Sequence, residues 1–172
     1  FTNDELVAIL NAPGIDSHVH ACFMGLLNLG VRLGELELIT WNNVDLRVRT
    51  VRLYGEKDND WRIIPISNTL IGTLKQIRPQ NPGGSAVFTL KNGASPSDNL
   101  YSIFMKTCDQ VGLEPAGLTI HSFRHTFIQK HLQAGVNFKT IMSWSGHSDI
   151  KSFMSYLAQY QPSSEGINRA DF

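Results

Sequence analysis

"RTVRLYGEKDNDWRIIPI", residues 49–66, decides the fold class. Two runs with alternating and β-branched residues flank a polar, turn-rich "GEKDND", and that arrangement predicts a β-hairpin. The sequence around it has helical character. Upstream, "TNDELVAIL" opens with Thr2 three residues before Glu5, a capping box leading into Leu6, Ile9 and Leu10. A mostly apolar helix is expected over 18–28; Gly30 interrupts it, and "RLGELELI" resumes helical spacing through Leu33, Leu36 and Ile39. Downstream, "SPSD" at 95–98 reads as a cap for a helix ending near Gly112, and three more helical stretches are separated by Gly135 and Gly146. The expectation is an α+β domain, mostly α-helical, with a small antiparallel hairpin or sheet near residues 48–67.

The chain of 172 residues, 42% hydrophobic, suffices for one substantial core. No apolar run approaches the roughly 20 residues that span a bilayer, and "FTNDELVAIL" lacks the layout of a signal peptide, so a soluble cytoplasmic protein with no membrane partner is expected. Cys22 and Cys108 sit in no CxxC or Cys/His spacing and read as buried thiols. The missing initiator Met suggests that Phe1 is a cut point within a longer protein. The formal net charge of zero speaks against nucleic acid on composition alone. The distribution of charge speaks differently. From Pro115 to Ser148 there is no Asp or Glu, while Arg124, Lys130, Lys139, His121, His125, His131 and His147 all fall inside. An acid-free basic stretch implies that something negative comes from outside.

Taken singly, the candidate groups are ordinary. Arg32 stands two residues after Gly30 and at i, i+3 from Glu35, which alone is a surface ion pair. Lys57 in the hairpin turn alone is a solvated lysine. His121 and Arg124 share a helical face; His121 and His125 have the i, i+4 spacing of a metal pair, but the glutamate of HExxH and any nearby thiol are missing, so no metal is expected. In "SGHSDIKSFMSYLAQY", residues 145–160, His147 follows a glycine and Tyr156 and Tyr160 lie one turn apart.

Taken in order, Arg32, Glu35, hairpin Lys57, His121-x-x-Arg124, Gly146-His147 and Tyr156 resemble the tyrosine recombinase (phage integrase) family. That family's pattern has an arginine opening a helix with an acid three residues on, a lysine between two strands, H-x-[LF]-R-H-[TS], then G-H and a tyrosine nine residues later. "LTIHSFRHTFIQKHLQAGVNFKTIMSWSGHSDIKSFMSYL", residues 118–157, matches nearly throughout, and "ITWNNVDL" and "RIIPIS" are also similar to the family. Phe123 and Ser145 depart from the usual leucines, a change expected to affect packing and not chemistry.

The resemblance implies a catalytic domain over residues 1–160 that breaks DNA with a tyrosine and without metal, ATP or other cofactor. Arg32, Arg124 and His147 would bind the scissile phosphate, and Tyr156 would attack it to give a 3′-phosphotyrosyl link. Lys57 would be the general acid, His121 would assist proton transfer or orientation, and Glu35 would position its neighbours. Lys130 and Lys139 are candidates for the DNA backbone. The implied partners are double-stranded DNA and further copies of the chain in a tetramer, with an N-terminal DNA-clamping domain expected outside this sequence and residues 161–172 a polar tail. Other readings are a type IB topoisomerase, a catalytically inactive DNA-binding relative, and an unrelated helical interaction module.

Overall fold

The computed structural model describes residues 1–55, 60–78, 85–114 and 117–159. Lys57, Tyr160 and the polar tail lie outside these residues. Eight helices are described: α1 (Asn3–Leu10), α2 (Ser17–Leu29), α3 (Leu33–Glu37), α4 (Asn68–Ile77), α5 (Pro96–Gln110), α6 (His121–Gln133), α7 (Phe138–Ser145) and α8 (Ile150–Gln159). A three-stranded antiparallel sheet, β1 (Val44–Asp45), β2 (Thr50–Gly55) and β3 (Asp60–Pro65), has the order β1-β2-β3. The α+β class and the hairpin are as expected. The strand β1 and the helix α4 are additions. α4 had readable signals in its N-cap Ser67 and in Leu70, Leu74 and Ile77 on one buried face. α3 stops at Glu37, so Ile39 is buried from a loop and not from a helix.

The reciprocal bonds of the α1 cap are present: Glu5 N–H donates to Thr2 Oγ1 at 3.2 Å, and Thr2 N–H donates to Glu5 Oε2 at 2.7 Å. At α5 the cap expected at Ser95 forms as well. Ser95 N–H donates to Asp98 Oδ2, while the Ser95 hydroxyl turns to Glu37 and ties α5 to α3.

The main core forms around α2, which buries eight of its residues and packs against α4 and α6. Phe23, Phe104 and Phe123 meet there with ring centroids 5.2 to 6.1 Å apart. A smaller cluster of Phe127, Ile128, Leu132, Ile141, Phe153 and Tyr156 joins α6, α7 and α8. α6 therefore runs between two cores, with Phe123 in one and Phe127 in the other. Cys22 and Cys108 are both buried free thiols, and burial followed by Asp16 pushes Cys22 up to about 12. Among the described residues, no helix is long and apolar enough to cross a membrane.

Candidate active site

The sheet register gives this site an arginine that the sequence reading did not single out. Val51 pairs with Ile64 and Leu53 with Arg62, so Arg62 shares the inner face with three buried aliphatic residues. Its polar partners are Glu35 Oε1 at 2.7 Å and the carbonyl of Trp144 at 3.1 Å. Glu35 has a second task. Its Oε2 accepts from the backbone N–H of Arg32 at 2.7 Å, which fixes the start of α3, and its Oε1 lies 3.7 Å from the Arg32 guanidinium. Arg32 thus opens a helix as expected, with its side chain 44% exposed, while the tighter ion pair of Glu35 is with Arg62.

Arg124 is only 1% exposed. Its Nη1 donates to the carbonyls of Gly30, at 2.8 Å, and Ser145; its Nη2 lies 3.2 Å from both ring nitrogens of His147; its Nε has no partner among the described residues. None of these partners is a carboxylate. Burial first, and then Arg32, lowers its pKa to about 10, so it stays charged near neutrality. Two glycines allow this placement. Gly30, at φ 63°, ends α2 and turns its carbonyl to Arg124; a Cβ there would lie 2.2 Å from the Phe127 ring. Gly146, at φ 69°, ends α7, and the Arg62 guanidinium lies 2.9 Å from where its Cβ would be.

His147 follows directly and is half-buried between α6 and α8. Burial, then Arg124, Arg32, His121 and Arg62, lowers its pKa from 6.5 to about 4, so the ring is neutral near pH 7. His121 is lowered by burial, Arg124, His125 and Arg32. Tyr156 is buried, its ring centroid 4.8 Å from that of His125 and 5.5 Å from that of His147. Arg32, Glu35, His121, Arg124, His147 and Tyr156 therefore converge, although α6 and α8 are distant in sequence from α3. Lys57 lies outside the described residues. Lys130 and Lys139 are exposed on α6 and α7 and make no described side-chain contact with the cluster. The sequence reading gave neither His125 nor Arg62 a place in the catalytic cluster. His125 was visible in the H-x-x-R-H run; Arg62 acts through contacts 27 and 82 residues away, which no local pattern displays.

The two departures from the usual leucines part company. Phe123 is a core ring, as expected. Ser145 is fully buried, and besides its packing its hydroxyl lies 2.8 Å from His147 Nδ1.

This arrangement can be compared with known proteins. The phage integrase family profile matches residues 1–162. The chain belongs to that family. Among curated relatives, it is 33% identical over 132 residues to tyrosine recombinase XerC of Actinobacillus pleuropneumoniae, covering 74% of this chain and 42% of that one. It is 29% identical over 167 residues to tyrosine recombinase XerD of Staphylococcus epidermidis, covering 89% and 55%. This phage integrase family member spans about half the length of those relatives. Its fold is that of the XerA recombinase, with a TM-score of 0.81, 20% identity and coverage of 94% of this chain and 60% of that one. The Tn1549 transposon integrase in complex with transposon right end DNA gives a TM-score of 0.82 at 19% identity, with coverage of 100% and 66%.

Proposed function

We propose that residues 1–160 are the catalytic unit of a site-specific DNA recombinase that cuts and rejoins strands through Tyr156. The observation that carries this reading is Arg124, a buried cation whose partners are carbonyls and an imidazole. Burying a charge is costly unless it is compensated, and among the described residues the compensation is incomplete. Among the described residues, Glu35 is the carboxylate that pairs with Arg32 and Arg62, and it reaches Arg124 only through space. A site with that surplus fits an anion, and a planar guanidinium fits two oxygens of a phosphodiester.

In the proposed reaction Arg32, Arg124 and His147 bind the non-bridging oxygens, where the loss of one preorganised donor typically costs roughly 3 to 4 kcal/mol. The Tyr156 oxygen forms a bond to phosphorus and loses its proton, while the bond from phosphorus to the 5′-oxygen breaks. Lys57 supplies the proton that the leaving oxygen takes up. The product is a 3′-phosphotyrosyl link and a free 5′-hydroxyl. Attack by another strand's 5′-hydroxyl reverses the step, so rejoining needs no ATP. Side chains carry the positive charge, and the reaction is expected to proceed in chelator. His121 assists proton transfer or orientation, Glu35 holds Arg32 and Arg62, and Lys130 and Lys139 meet the DNA backbone.

Relatives support the proposed partners. Lambda integrase is known as a tetramer bound to a Holliday junction, and this chain shares its fold with a TM-score of 0.74 at 16% identity. Double-stranded DNA and a tetramer on it are proposed here as well. The test is a pool of nicked duplexes of random sequence, in which cleavage releases a short strand and traps the adduct. An adduct enriched in particular sequences is expected; adducts with no sequence preference would favour topoisomerase-like relaxation, and none at all would reject the proposal.

A further inference from the structure

Ser145 ends α7 directly before the Gly146-His147 pair, is 0% exposed, and touches two of the three groups assigned to the phosphate, Arg124 and His147. Its backbone carbonyl accepts from Arg124 Nη1. Its hydroxyl lies 2.7 Å from the carbonyl of Ile141, 3.4 Å from that of Met142 and 2.8 Å from His147 Nδ1. A hydroxyl has one proton to give, and the carbonyls can only accept. The short contact with Ile141 therefore takes the Ser145 proton, leaving a lone pair towards Nδ1. Two lone pairs would repel at 2.8 Å, so Nδ1 carries hydrogen and donates to Ser145 Oγ. Arg124 does not select the tautomer, since its Nη2 is 3.2 Å from each ring nitrogen. Ser145 does. A neutral imidazole has one N–H, so Nε2 is left as the lone-pair atom.

We propose that Ser145 is a positioning residue: by accepting from His147 Nδ1–H it fixes the tautomer and the ring's orientation, and makes Nε2 the atom presented to the DNA phosphate. This rests on His147 being a phosphate ligand, as proposed above. The bond to Ser145 serves both charge states of the ring, because Nδ1 bears hydrogen in each. Nε2 acquires its own hydrogen, and becomes a donor, when a phosphodiester brings a negative charge among Arg124, Arg32, Arg62, His121 and Tyr156, the groups that face the ring. A leucine here would leave Nδ1 without this acceptor and the tautomer unfixed.

The first experiment needs neither DNA nor a variant. Nitrogen NMR of histidine-labelled protein near pH 7.5 is expected to show the His147 ring protonated at Nδ1 and bare at Nε2. In Ser145→Ala, which removes one atom, the signals should move towards the Nε2–H form. A wild-type ring protonated at Nε2, or an unchanged pattern in the variant, overturns the proposal. The second experiment compares adduct formation on a cleavable nicked duplex. Ser145→Ala is expected to slow it about 10- to 100-fold, the usual scale for the loss of an orienting partner, with DNA affinity unchanged. An unchanged rate overturns the positioning role. If wild type forms no adduct on any duplex, it is the recombinase reading that fails, and the NMR result still decides the Ser145–His147 bond.

Discussion

Arg124 carries a charge that folding removes from water, and among the described residues no carboxylate is hydrogen-bonded to it. Its field reaches the histidines. His147 is held at about 4 by burial first and then by Arg124 and its neighbours, whereas an unfolded chain would protonate it near 6.5. His121 and His125 move in the same direction. The unfolded state therefore binds protons that the folded state refuses. This contribution to stability is fully present above about pH 6.5 and is lost as pH falls towards 4. The melting temperature should drop across that interval, and His147→Asn should shallow the drop. Identical slopes for variant and wild type would contradict the assigned shift. Of the residues involved, His121, Arg124 and His147 were legible because their spacing is local. Arg62 was not, since only the sheet register turns it inward towards Glu35. The polar contact of Ser145 was not legible, because it forms only once α7 has ended and His147 has turned back upon it.

At the scale of elements, α2 hands the chain to α3 through Gly30, and that turn carries the Arg124 acceptor. Gly30→Ala should cost about 2 to 4 kcal/mol, from the left-handed backbone and the overlap with Phe127, read by denaturant unfolding. A loss under about 0.5 kcal/mol would mean that the ring moves aside freely. The hairpin permits a sharper test. Lys57→Ala should cleave a normal phosphodiester at least ~100-fold more slowly, yet cleave a 5′-phosphorothiolate almost as fast as wild type, because sulfur leaves without a proton. Without thio rescue, Lys57 is a phosphate contact and not the acid. The hairpin and the caps at Thr2 and Ser95 were readable from residues a few positions apart. β1 was not: two residues carry no period, and its existence depends on pairing with Val51 and Thr50.

The whole molecule has no net charge, yet among the described residues its site gathers three guanidiniums near the carboxylate of Glu35. Affinity for DNA in general grows with the number of phosphates neutralised, log K falling by roughly 0.9 per contact per log unit of salt. With acids elsewhere cancelling the excess, this chain alone should bind duplex DNA at micromolar levels or worse. A further segment that closes around the duplex would raise this by orders of magnitude through effective concentration. A salt titration compares the two forms, and nanomolar sequence-specific binding by the 172 residues alone at physiological salt would reject the clamp. The central claim is narrower: a covalent bond between DNA and one tyrosine. Tyr156 is nine residues after His147 and packs against its ring, whereas Tyr160 lies outside the described residues. Peptide mapping of the adduct trapped on a nicked duplex measures this directly. The account predicts DNA joined by its 3′-phosphate to Tyr156, no adduct from Tyr156→Phe despite intact binding, and a normal adduct from Tyr160→Phe; DNA found on Tyr160, or joined through a 5′-phosphate, would contradict it.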